Sequence, residues 1–184
     1  LQYYVWFGDA LGRLMMDRVI KAADRGVKVR ILFDDLNTML HDMTHVEMRD
    51  ELLSRIDRHP NVQIRVFNPW NDRSLFGRGA GMATDFKRLN RRMHNKSFTV
   101  DGAVTIVGGR NIGNEYFDLD PVKNFRDREV LAAGPVVAGV SAGFDAFWMS
   151  RWTLLASSLD SEALSAEQLA TAHNRLDAAE AELQ

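Results

Sequence analysis

His94 and Lys96 stand two apart in the stretch "RRMHNKSFTVDGAVTIVGGRN", Arg91 to Asn111. Asp101 follows after four residues, and the run Gly108-Gly109-Arg110-Asn111 after six more. Side chains alternate along extended backbone, so residues two apart share a face. Asp101-Gly102 lies between two alternating runs and signals a hairpin. The second run therefore returns beside the first, and Asn111 lies next to the strand end that carries His94. That convergence suits phosphate chemistry. An ammonium supplies charge to non-bridging oxygens, and Asn supplies neutral donors. A glycine-rich turn exposes backbone N–H groups to an anion. A histidine beside bound phosphate can act as nucleophile or proton carrier, since its ordinary pKa lies near neutrality. A bare H-x-K is more often a strand-end histidine beside a surface lysine, so the surroundings must decide.

The elements that would position these residues read as α/β. "QYYVWF" (Gln2 to Phe7) is aromatic and β-branched, a strand by composition. Asp9 is placed to cap a helix from Ala10 to Asp24, and Gly26 to end it. Strands follow at Val27 to Phe33 and Val62 to Phe67, with a helix predicted between them from His45 to Ile56. Strand, helix, strand, helix, strand implies a parallel sheet. The hairpin runs "KSFTV" and "AVTIVG", then the strand "EVLAAG", extend it. Pro135 fits the first turn of a helix carrying Val136, Val137, Val140, Phe144, Phe147 and Trp148. On the His94 face, Phe98 and Val100 are expected in the core. The fold expected is a mixed, mainly parallel β-sheet flanked by helices. Residues 1–157 form the lobe. Residues 158–184 carry a three-and-four stripe (Leu169, Ala172, Leu176, Ala179, Leu183), an amphipathic helix packing on the lobe or on a missing partner lobe.

Composition narrows the function. The chain has no cysteine, which excludes disulfides and thiol catalysis. The net charge of −2 argues against nucleic-acid binding through global charge. No run approaches the roughly 18 apolar residues of a membrane span. The first residues, "LQYYVWFGD", lack an initiator Met and already lie in a strand-like run, as expected for a piece of something larger.

The full spacing of His94, Lys96, Asp101, Gly108-Gly109 and Asn111 resembles the HKD signature of the phospholipase D superfamily. "RGVKVRILFDD", "GGRNIGNEYF" and "GPVVAGVSAGFDAFW" also resemble that family, most closely bacterial cardiolipin synthase and related phospholipase D-like proteins. The resemblance covers Gln2 to Trp152. It implies that His94 forms a phosphohistidine or is its acid/base partner, that Lys96, Asn111 and the Gly109 backbone bind phosphate, and that Asp101 and Gly108 are structural. A downstream acid, Asp127 with Glu129 as alternate, would hold the histidine in its working tautomer. It implies phosphodiester cleavage or phosphatidyl transfer, an anionic phospholipid substrate, no cofactor and no metal. Membrane association of a full-length bacterial protein is implied as well.

Two departures stand out. Many members have Gly-Ser where this chain has Gly108-Gly109, so a hydroxyl donor is absent. The family builds one site from two motifs, and no second H-x-K surrounds His41, His45, His59 or His173. The chain is then the first half of a two-lobed enzyme, a lobe that homodimerises as a nuclease or phosphodiesterase, or a silent phospholipid-binding lobe. Its partner would be a second HKD lobe, in the same full-length chain or in a homodimer mate. Nucleic acid is the weaker alternative.

Other signals are read more plainly. His41 and His45 stand four apart, but Thr44 reads as a helix cap between them, and a metal site is not expected. Asp34-Asp35 end a parallel strand, where α/β sheets place ligands; a loop-capping or surface role is read first. Lys87, Arg88, Arg91 and Arg92 are equally a solvated helix face or an anion-attracting patch. Trp70, Leu75, Phe76 and Met82 could meet a membrane but more often close over a core or a partner lobe.

Overall fold

The computed structural model describes residues 1–34, 56, 59–69 and 90–158. The helix predicted from His45 onward (apart from Ile56), the loop and basic segment across 70–89 and the helix after Ser158 lie outside them, as do His41, His45 and His173.

Seven strands form one mixed sheet. They are β1 (Gln2–Tyr3), β2 (Val29–Asp34), β3 (Val62–Phe67), β4 (Ser97–Val100), β5 (Val104–Gly108), β6 (Glu129–Ala133) and β7 (Thr153–Leu155). The order is β6-β5-β4-β1-β2-β3-β7. β1, β2 and β3 pair in parallel, as the βαβαβ pattern requires. The strands on either side of this centre are antiparallel. α1 (Ala10–Asp24) and α2 (Val136–Trp148) lie on opposite faces. Val29, Ile31 and Phe33 pack with Met16, Val19, Ile20 and Ala23 of α1. Leu32, between them in β2, packs with Phe67, Phe144 and Trp148 on the α2 side. A strand covered on both faces accounts for the continuous apolar run of β2. No helix among the described residues is long and apolar enough to cross a membrane.

Local chemistry sets the boundaries. Asp9 Oδ1 accepts the Gly12 N–H at 3.0 Å and caps α1. Gly26 takes φ +95° just past its end. The Val27 N–H still bonds Ala22 O at the helix end. Strand pairing therefore begins at Val29, two residues later than predicted. β1 is shorter than predicted because the chain changes partner: the Phe7 N–H goes to Ile112 O, and the Ile112 N–H to Val5 O. The β4–β5 turn has φ +53° at Asp101 and +64° at Gly102, the left-handed pair that a type I′ hairpin needs. Val100 departs from its expected place in the core. It is 48% exposed and pairs with Val104 directly beside the turn of that hairpin. β7, three residues long, has no alternating pattern to announce it.

Candidate active site

His94 lies in an extended lead-in to β4 rather than in the strand itself. That lead-in is clamped at the carboxyl ends of β2 and β3. Asp34, the last residue of β2, is 1% exposed. Its Oδ2 accepts the Met93 N–H at 2.8 Å, and its Oδ1 accepts from Arg92 Nη1 at 3.0 Å. Asn68, directly after β3, donates from Nδ2 to Arg91 O at 2.8 Å. Met93 is fully buried in the α2-side core. The residues before His94 are thus held by an ion pair, by hydrogen bonds and by packing, while His94 itself emerges exposed.

Lys96 turns back to His94. Its Nζ donates to His94 O at 2.7 Å and lies 3.0 Å from Nδ1 and 3.3 Å from Nε2 of the ring. Tyr4 supplies the wall. Its ring centroid is 4.6 Å from that of His94, and Lys96 Nζ stands 5.4 Å from it. Partial desolvation of the otherwise exposed ring first, and then the Lys96 charge, lower the His94 pKa below the ordinary histidine value. Burial also lowers the pKa of Lys96, against an opposing pull from Asp127. Both shifts have ordinary causes: desolvation disfavours a charge, a like charge disfavours it further, and an opposite charge restores it.

The other predicted residues divide. Asn111 is buried and engaged by the framework. Its Oδ1 accepts the Val5 N–H at 3.1 Å, and its Nδ2 donates to Tyr116 Oη at 3.0 Å. One amide N–H remains beyond those two bonds. Asp127 lies against Gly109, where a Cβ would collide with its carboxylate. The space of the absent hydroxyl is therefore taken by an acid. Among the described residues no hydrogen bond joins Asp127 to His94; Asp127 Oδ1 accepts the Arg128 N–H at 2.8 Å. Glu129 faces Arg110 Nη1 at 3.4 Å and also stays off His94. Gly108 packs on the Arg128–Glu129 backbone, where an added Cβ would come within 2.6 Å of Arg128 O. Asp101 serves the hairpin turn.

Tyr4, Asp34, Asn68 and Arg92 complete the site beyond the predicted set. Asp34 at the end of a parallel strand was the readable signal, and its position there is a loop cap, buried rather than on the surface. The Arg92 side chain is 11% exposed, so it is a buried ion-pair member and not part of a solvated face. Tyr4 had no sequence signal apart from its strand.

Comparison with known proteins matches residues 1–148 to the family model described as cardiolipin synthase, PLD-like domain. Cardiolipin synthase C of Escherichia coli is 49% identical over 148 residues, covering 80% of this chain and 29% of that protein. Major cardiolipin synthase ClsA of Bacillus subtilis is 32% identical over 149 residues, covering 80% of this chain and 27% of that protein. Cardiolipin synthase A of Pseudomonas putida is 29% identical over 154 residues, 82% and 28% of the two chains. The chain spans less than a third of the length of these curated relatives. It belongs to the cardiolipin synthase, PLD-like domain family.

Proposed function

We propose that this lobe supplies half of the active site of a phosphatidyl-transferring, phospholipase D-type enzyme. The observation that carries the reading is the buried Lys96 ammonium at 3.0 Å from the exposed His94 ring, in a chain of this family. A lowered pKa favours the neutral imidazole, whose lone pair can attack. Lys96 donates to that ring, and a phosphate oxygen competes for the same protons. Substrate binding would draw the ammonium onto the phosphate and free the ring nitrogen. Asp127 favours the charged form of Lys96.

In the first step the His94 nitrogen bonds to phosphorus, and the P–O bond to the leaving alcohol breaks. A second histidine, from an H-x-K lobe in the remainder of the longer protein or in another copy, protonates that alkoxide. In the second step water or an alcohol such as a glycerol headgroup, deprotonated by the same partner, attacks phosphorus and expels His94. Asn111 and the Gly109 backbone contribute neutral donors, with Asn111 chiefly fixing Val5 and Tyr116. The substrate is an anionic phospholipid, which places the full-length protein at a membrane.

The test is turnover of phosphatidylglycerol, with DNA cleavage in parallel, by the full-length protein in EDTA. Wild type should transfer or release the headgroup and His94→Ala should not. DNA cleavage without lipid turnover, or full activity in His94→Ala, contradicts the proposal. The isolated chain should be weakly active or inactive.

A further inference from the structure

Next to His94 a groove of about 500 Å³ runs between the sheet and α2. Gly139 and Gly143, one turn apart on α2, line it, and a Cβ at either would meet nothing within 4 Å. Glycine inside a helix costs about 0.5–1 kcal/mol relative to alanine. Here neither glycine is needed for close packing against any described residue. What they leave is room. Val140 shares their wall, and Val107 lies on the opposite one.

Gln2 also lines the groove. Its register with Leu32 and Ser97 places it on the α2 side of the sheet. The residue is 2% exposed, and its Nε2 has no hydrogen-bond partner among the described residues. A buried donor without a partner costs about 1–3 kcal/mol. Its terminal amide torsion is soft, so the group can turn to meet an acceptor in the groove. The described lining contains no carboxylate, and its charge is confined to the His94–Lys96 end.

We propose that this groove is the subsite for the glyceryl-ester portion of a phosphatidyl substrate. The phosphate lies at His94 and Lys96, an ester carbonyl accepts from Gln2 Nε2, and the acyl chain runs along Val107, Val140 and the two glycines. The assignment rests on the function proposed above and names which part of the substrate this lobe holds.

The test is calorimetric titration of the 184-residue chain with two soluble phosphodiesters. One is dihexanoyl phosphatidylglycerol below its micelle concentration; the other is glycerophosphoglycerol, which lacks acyl chains. The wild type should prefer the acylated diester by about tenfold, the equivalent of roughly two buried methylenes. Gly143→Leu fills the groove and should erase that preference while leaving glycerophosphoglycerol binding unchanged. Its melting temperature should not fall, because leucine is the better helix former. Gln2→Leu, which removes the unpartnered amide, should weaken only the acylated diester. Equal wild-type affinity for the two diesters, or a preference that survives both substitutions, overturns the subsite alone. Failure of the wild type to bind either diester overturns the subsite together with the phosphodiester reading of His94 and Lys96.

Discussion

Asp34→Ala is the most informative stability variant. Asp34 is buried, and its two carboxylate oxygens hold the Met93 N–H and the Arg92 guanidinium. Truncation leaves Arg92 as a buried cation with its principal partner removed, a loss of about 3–5 kcal/mol. For a chain of this size that corresponds to a fall in melting temperature on the order of 10 °C. Asp34→Asn keeps an acceptor for Met93 but loses the charge, and should cost about 1.5–3 kcal/mol. The double variant Asp34→Leu/Arg92→Met removes both charges and should recover part of the loss. Asp145→Ala is the control. Its pair with Arg30 is 2.8 Å long but half exposed, so it should cost less than about 1 kcal/mol. Urea unfolding followed by circular dichroism reads all four. A loss below about 1 kcal/mol in Asp34→Ala, comparable with Asp145→Ala, would refute the claim that this carboxylate holds the approach to His94.

Three further outcomes are expected. Lys96→Met removes the positive neighbour of His94 at nearly constant size, so the His94 pKa should rise toward the ordinary histidine value; an NMR pH titration that shows no rise, or a fall, contradicts the part assigned to the Lys96 charge. Asp127→Asn removes the charge that opposes the lowering at Lys96, so the Lys96 pKa should fall further, seen as faster amine labelling near neutral pH; unchanged labelling would detach Asp127 from the site. Asn111→Ala leaves the buried Val5 N–H without its acceptor and should cost about 1–3 kcal/mol in chemical unfolding, whereas a purely ligand-binding Asn111 would leave unfolding unchanged.

Much of the scaffold could be read from local chemistry. Asp9, Gly26 and the Asp101-Gly102 turn each act within a few residues of themselves, so their signals survive in one dimension. The contact between His94 and Lys96 was legible for the same reason: residues two apart on extended backbone share a face. Contacts across long sequence separations were not legible. The Asp34 clamp joins residues 59 positions apart, and its acid resembles any other at a strand end. Tyr4 reaches His94 only because β1 pairs with β4. The role expected for Asp127 followed the resemblance, and here the glycine at 109 leaves room for its carboxylate, whose charge acts on Lys96. β1 was read too long because Val5 and Phe7 bond the segment after β5, a partner that no strand pattern announces.

The central claim is that His94 becomes covalently bonded to phosphorus. Acid-free mass spectrometry of the full-length protein, quenched during turnover of a soluble phosphatidylglycerol, tests it directly. The account predicts a phosphatidyl adduct on the peptide that carries His94, absent in His94→Ala. Continued turnover in His94→Ala, or an adduct confined to other residues, would contradict it.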